Sequence, residues 1–392
     1  MKRLYFIIFL ILLVSGSSIS ITNEDVGYIS YLLLLVFLLL DKKKIFLIKL
    51  KYFFLILIPV IFFWFIHGSQ GINSYLRFFL LIYIACLVYL NYELNIVAKH
   101  FIKVIYFLAV ISLFHFFISL LIPINEFLPQ ISTDQGIKYY YTGLSGLLVH
   151  TPYRNCSIFW EPGIFSTYLI IALLINSKIL KNKLFGYVNI IFIVALITTL
   201  STFGLIMMVF TLFFLFLDKS TINYKNKLYK YLTNFLVSIF LFLLFFNLNT
   251  IILYLVELNP EIFSKLDLES DSISSEVRLF APLFDFQMFQ TSPIFGVGIS
   301  QYYFLWDELA NDPKIIYNVG TSTLTYYLAS FGLSFVFFFL YIIKKMLIFK
   351  SLNSLFIFYL INLIVVILFK EPHQNFLFSY IAFTYILLNK NE

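Results

Sequence analysis

"IKVIYFLAVISLFHFFISLLI", residues 102–122, holds one lysine near its start and one histidine, His115, in its middle. Every other position is apolar, aromatic or a small hydroxyl residue. A helix crosses the hydrocarbon core of a bilayer with about 20 such residues. Runs of this kind recur along the 392-residue chain, which is 61% hydrophobic and 12% charged, with 50 Phe and 28 Tyr. Soluble domains lie nearer ~45–50% apolar and ~25% charged. The composition therefore excludes a soluble globular protein and predicts an integral membrane protein.

Twelve apolar segments can be marked, at roughly 4–22, 26–40, 50–66, 76–90, 102–122, 158–176, 186–200, 203–217, 232–256, 321–343, 354–369 and 374–388. Several fall short of about 20 residues, which calls for burial against neighbours or local bilayer adjustment. The stretch 184–217 divides at LSTFG, where Ser201, Thr202 and Gly204 suit a tight turn. The start, Met1-Lys2-Arg3 followed by an apolar run, imitates a secretory signal. The run extends to Ile21, and its orientation fits every later segment, so a retained anchor helix is expected.

Cytoplasmic loops are rich in Lys and Arg. With both termini inside, 20 of the 27 basic residues fall on the cytoplasmic side and 16 of the 20 acids on the other. A wrong number of spans would scramble that alternation. The net charge of +7 thus belongs to the cytoplasmic face and gives no support for nucleic-acid binding. Two outer loops, about 123–157 and 257–320, carry most of the soluble material of a single membrane domain, residues 1–392. The two cysteines, Cys86 and Cys156, are expected to be packing residues, and no metal-ligand spacing occurs.

Lysine obeys the topology rule; arginine does not. Of 23 lysines 19 are inside, whereas of four arginines only Arg3 is. Arg77, Arg154 and Arg278 face outward. Arginine's planar fork holds phosphate bidentately and keeps its charge, so an anionic group handled outside is one reading and ordinary surface arginine the other. In KYYYTGLSGLLVHTPYRNCSIFWEPG (138–163), Pro162 suits the first position of a helix and Glu161 its positive end. The segment SIFW is expected to supply part of the span, which puts Glu161 below the interface, with Arg154 as its candidate partner. The tyrosines of this loop read as interfacial aromatics. In the second loop Ser274 or Ser275 can cap a helix with Val277, Phe280 or Ala281, Phe284 and Met288 on one face, expected to lie at the membrane surface. Arg278 sits off that face, and Gly296 and Gly298 end the segment in a tight turn. His150 in the first loop and His373 in the last outer turn, KEPHQN (370–375), are candidate acid–base groups; polar residues also collect in such turns for no catalytic reason.

Four pieces, in this order, resemble the polymerases of bacterial O-antigens and capsules and the related O-antigen ligases: RNCSIFWEPG (154–163), TLSTFGLIMM (199–208), SEVRLFAPLFDFQMFQTSPIFGVG (275–298) and NVGTSTLTYYLASFGL (318–333). The resemblance covers most of the chain and implies an all-α, GT-C-like polytopic fold of about twelve transmembrane helices with an external active site. It implies a metal-independent glycosyltransferase of the bacterial inner membrane, without cofactor. The substrates it implies are oligosaccharides linked to undecaprenyl diphosphate, and its expected protein partners are a chain-length regulator and a flippase.

The family's outer-loop arginines correspond to Arg154 and Arg278; Arg77 joins them as a candidate diphosphate ligand. Glu161 is the first candidate base and His150 or His373 the second. Ligases carry a His before the Asn of the fourth piece. Tyr317 precedes Asn318 here, which favours a polymerase. A ligase of the same chemistry and a flippase for lipid-linked oligosaccharide remain as alternatives; a flippase would carry charge within its helix bundle, whereas these charges lie mainly in outer loops.

Overall fold

The computed structural model describes residues 2–14, 17, 24–40, 46–69, 71–122, 127–132, 138–142, 145–149, 151–221, 273–310, 322–347, 354–370 and 377–388. The expected span 232–256, His150, His373 and Tyr317 lie outside these residues. Helices dominate the description: α1 (Lys2–Val14), α2 (Glu24–Leu40), α3 (Phe46–Ile66), α4 (Ile72–Asn91), α5 (Leu94–Leu121), α6 (Pro162–Leu174), α7 (Tyr187–Thr198) and α8 (Thr202–Thr221), then α9 (Ile273–Thr291), α10 (Ile299–Ala310), α11 (Thr323–Phe331), α12 (Leu333–Leu347), α13 (Ser354–Lys370) and α14 (Leu377–Leu388). Among the described residues four stretches are long and apolar enough to cross a membrane: Ile48–Ile66, Ile72–Asn91, Leu94–Leu121 and Pro162–Ile179. Six shorter apolar stretches of 10–17 residues accompany them. In Ile48–Ile66 only 17% of the residues are buried, against 72% in Pro162–Ile179. Leucine and phenylalanine exposed all along α3 suit contact with hydrocarbon, while α6 runs through the interior.

Two packing groups make up the molecule. In one, α4 packs on α2, α3, α10 and α14, and α11 packs on α9, α10, α12 and α13. In the other, α6 packs on α5, α7 and α8. Helix α1 touches α2, α5 and α14, and α13 touches both α8 and α11, so these two join the groups.

The segment between α5 and α6, expected as the first outer loop, departs from the all-α expectation. It folds into a four-stranded antiparallel sheet in the order β1-β2-β3-β4, with β1 Gln130–Ser132, β2 Lys138–Tyr141, β3 Gly146–Leu148 and β4 Thr151–Ser157. Strand β4 lies against α5, α6 and α7. The sheet is anchored by buried polar groups: the Asn155 amide donates to Ser112 Oγ at 3.1 Å and Thr198 Oγ1 at 3.0 Å, and His115 Nδ1 pairs with Ser145 Oγ at 3.1 Å. Tyr139, expected at the interface, is instead buried and donates to the Trp160 carbonyl at 2.7 Å. Burial also pushes its hydroxyl pKa up.

SIFW does not extend the sixth span. Ser157 turns the chain in the left-handed region, φ 53°, and Ile158 and Phe159 fill the core before α6 starts. Pro162 takes the first helical position with Glu161 as an extended N-cap, as the sequence suggests. The missing length is recovered at the other end, where a π-turn, Ile175–Ile179, continues α6. Cys86 and Cys156 are buried and form no disulfide, consistent with packing roles.

The expected span 321–343 is broken. Helix α11 ends at Phe331 and α12 begins at Leu333, with Gly332 at φ 62°, ψ −146° between them. A broken helix leaves backbone groups without intrahelical partners, and the 292–298 turn supplies several. The Val297 and Gly298 amides donate to the Ala329 and Ser330 carbonyls, and the Leu333 amide donates to the Pro293 carbonyl at 2.8 Å. A Cβ on Gly332 would stand 2.5 Å from that same Pro293 oxygen. Two of the four quoted sequence pieces are therefore a turn and the helix break it repairs.

Candidate functional site

Helix α9 begins at Ile273 and so includes Arg278. One face of it packs against α11. Ala281 and Met288 are buried on that face, and between them Asp285 is buried completely. Each Asp285 oxygen accepts a bond from a different neighbouring helix: Trp306 Nε1 of α10 donates to Oδ1 at 3.3 Å and Thr325 Oγ1 of α11 donates to Oδ2 at 2.5 Å. The Tyr302 hydroxyl is also close to the carboxylate but forms no hydrogen bond of regular geometry. Desolvation by burial raises the Asp285 pKa to about 6, against the hydrogen bonds that lower it. One carboxylate thus ties three helices together.

The 292–298 turn is tied to the α3–α4 connection as well. His67 Nε2 lies 2.9 Å from the Phe295 carbonyl and Nδ1 lies 2.6 Å from the Tyr75 hydroxyl. A carbonyl only accepts, so Nε2 carries the proton; in the neutral ring Nδ1 then accepts from Tyr75. Burial lowers the His67 pKa, which favours that neutral form. The Tyr75 oxygen in turn accepts from the Ile299 amide at 3.2 Å, the first residue of α10. Gly298 turns there with φ 88°, and a Cβ on it would stand 2.7 Å from His67 Cβ.

These ties enclose a cavity of about 90 Å³ between α4, α10, α11 and α14, lined in part by Ser74, Arg77, Phe78, Tyr303, Tyr326 and Tyr380. Arg77 sits one turn into α4, and Ile299 puts the positive end of α10 in the cavity wall. A guanidinium, a serine hydroxyl and three phenols line this small space, the Tyr380 hydroxyl pairing with that of Tyr327. On its far side Phe78 and Tyr380 also line a groove of about 390 Å³, whose other walls, including Leu55, Val60, Phe335 and Phe338, are almost wholly apolar.

Of the sequence candidates whose side chains the structure describes, Arg77, Arg154 and Glu161, Arg77 alone lines this cavity. Arg154 belongs to the other packing group. It is half-buried on β4, and its Nε donates to the Thr199 carbonyl at the end of α7 at 3.3 Å. Glu161 is half-buried at the start of α6, and its side chain makes no capping bond. Sequence reasoning passed over Asp285, His67, Tyr303, Tyr326 and Tyr380. Asp285 had a usable signal: it lies four residues after Ala281 and three before Met288, a lone acid on an apolar helical face. The tyrosines had none, since 28 tyrosines hide three. Among the described residues no cluster of three or more His, Cys, Asp or Glu suits a metal ion. No protein-family model, curated protein or solved structure matches the chain.

Proposed function

We propose that this protein is a polymerase of surface-polysaccharide repeat units, transferring glycans carried on undecaprenyl diphosphate at the outer face of a bacterial cytoplasmic membrane. Its spans number twelve in a GT-C-like arrangement, and both termini are cytoplasmic. The observation that carries the reading is the Arg77 cavity: a fixed cation and several hydroxyls in a small space at one end of an apolar helix bundle. By the distribution of basic residues this end faces outward.

In the proposed reaction a sugar hydroxyl of the acceptor attacks the anomeric carbon of the donor. The new C–O bond forms as the bond to the diphosphate breaks, and the electron pair leaves with the diphosphate. The attacking hydroxyl loses its proton to a base within hydrogen-bond reach, for which His150 and His373 are the candidates; Glu161 starts α6, in the other packing group from the Arg77 cavity. Cations aimed at the leaving group act where charge develops, and removal of one such group typically costs ~10²–10³ in rate. Arg77 takes this role in the cavity, and Arg154 and Arg278 guide the anionic head along the outer face. A chain-length regulator and a flippase are its partners.

Arg77→Ala is expected to lower in vitro polymerisation of a defined lipid-linked repeat unit by about 10²–10³-fold. In cells, single lipid-linked units should still reach the outer face while long chains disappear. Full activity of the variant would remove the cavity from the reaction. Units trapped on the cytoplasmic side would identify a transporter instead, and chains built only on a lipid A core would identify a ligase.

A further inference from the structure

We propose that Asp285 sets the anion affinity of the Arg77 cavity from behind its wall, so that an anion entering the cavity brings a proton onto this carboxylate. This rests on the cavity as the place where the leaving group's charge is held. Asp285 stands outside the lining, yet both helices that it ties contribute to that lining through the next residue along. Thr325, which donates to Oδ2, precedes Tyr326, and Tyr302, whose hydroxyl is close to the carboxylate, precedes Tyr303; Tyr303 and Tyr326 both line the cavity. The Tyr302 ring spans the interval, standing edge-on to Tyr326 with ring centroids 4.7 Å apart. Asp285, Tyr302 and Tyr326 are all buried. The path from carboxylate to cavity wall therefore runs through buried side chains, where a charge is screened far less than in water.

Among the described residues, the groups that hold or approach this carboxylate are the Trp306 indole, the Thr325 hydroxyl and the Tyr302 phenol. Of these only the phenol titrates, ordinarily at about 10, as do the phenols of Tyr303 on α10 and of Tyr326 and Tyr327 on α11. On its own helix the charged residues Glu276 and Arg278 lie about two turns or more earlier, and Asp307 and Glu308 of α10 are exposed. Across the cavity stands Arg77, and His67 holds the adjoining turn. Desolvation keeps the folded Asp285 carboxyl at about 6, so near neutral pH a modest added repulsion protonates it. An anion in the cavity supplies that repulsion, and the proton comes from water. By linkage the neutral carboxyl raises the anion's affinity by the same factor. A neutral amide would accept a hydrogen bond from either donor without opposing an anion, so cross-linking the helices does not by itself call for an acid here. The diphosphate gains charge as it leaves, and a protonated Asp285 no longer opposes that charge.

The test uses the full chain in detergent micelles. Sulfate is the probe, because its charge is constant from about pH 5 to about pH 8, a range that brackets the carboxyl's titration. In the parent the sulfate Kd should rise about five- to tenfold across this range, an ordinary coupling between sites. Calorimetry in two buffers of different ionisation enthalpy should record proton uptake on binding. Asp285→Asn cannot ionise and keeps an acceptor for one of the two donors; its Kd should rise less by that factor. The His67 titration is common to both proteins, so comparing them cancels it. Thr325→Val leaves the acid in place and removes a donor to its ionised form, so the midpoint of the pH dependence should move up. A purely structural role for Asp285 predicts no such shift. Equal pH slopes in the parent and Asp285→Asn would overturn the inference, as would an unmoved midpoint in Thr325→Val. Arg77→Ala should abolish sulfate binding. Binding that survives it would remove the cavity reading and the inference together. Arg77-dependent binding whose slope ignores Asp285 would remove the inference and leave the cavity reading standing.

Discussion

Asp285 places a carboxylate where α9, α10 and α11 meet, out of contact with solvent. Ionised, it needs its two donors, Trp306 and Thr325; protonated, it costs less to bury. The folded pKa of about 6 exceeds the ~3.9 of an exposed aspartate. Between those values the folded chain holds a proton that the unfolded chain has released. The stability contributed by this titration is therefore full below about pH 4 and is lost as pH rises through about 6, by on the order of 3 kcal/mol. Asp285→Ala should lower stability overall by about 1–3 kcal/mol, because it leaves the Trp306 and Thr325 donors without their acceptor. It should also flatten the decline between pH 4 and pH 7. Thermal unfolding of the detergent-solubilised protein across that range reads both effects, and an unchanged slope would assign the titration to another group. His67 pushes the other way: its lowered pKa gives stability that is present above the unfolded value of about 6.5 and lost as pH falls through the folded one. Comparing variant with parent cancels that opposing slope.

At the scale of elements, the break between α11 and α12 does structural work that a continuous span could not do. It exposes carbonyls at Ala329 and Ser330 to the amides of the 292–298 turn, and that turn fixes the start of α10 beside Arg77. Gly332 is the pivot. Its φ of 62° is one that side chains rarely adopt, and a Cβ there meets backbone at 2.5 Å from Pro293 O and 2.7 Å from Gly296 N. Gly68 offers a matched contrast, with φ 79° and nothing within 4 Å of the place a Cβ would take. Gly68→Ala should cost about 1 kcal/mol from backbone strain alone. Gly332→Ala adds a clash with backbone that cannot rotate away, so a loss of about 3 kcal/mol or more is expected, together with loss of polymerisation. Paired melting curves decide it: equal costs would show that the turn yields freely and does not hold the cavity. The sequence shows the two glycines of the turn and their tight geometry, because positive φ is a local property. It does not show the break, since Gly332 lies in an apolar run that reads as one helix. The small sheet was hidden for a related reason: its strands are three to seven residues long, and they are held by tertiary bonds from Asn155 and Ser145, which leave no period in the sequence.

For the whole molecule, the membrane character and most of the helix order were legible because hydrophobic runs follow from the bilayer alone. The division at LSTFG was also legible: α7 stops at Thr198 and α8 starts at Thr202. What the sequence could not supply was which outward arginine meets a cavity, because that depends on contacts between residues more than 200 positions apart, such as Tyr75 with Ile299. Orientation ties these levels together, since the proposed chemistry needs Arg77 outside. The turn that holds Ser69 and the connection that holds Lys183 should lie on opposite sides of the membrane: in the proposed topology the third span runs outward into the first, and the second lies in the lysine-rich SKILKNK segment. Both side chains are exposed, and both native cysteines are buried, so single cysteines can report cleanly. In intact spheroplasts Ser69→Cys should react with a membrane-impermeant thiol reagent, and Lys183→Cys should react only after permeabilisation. The opposite pattern would put the Arg77 cavity on the cytoplasmic side. There a flippase could load its anionic cargo, and a polymerase acting on exported units could not work.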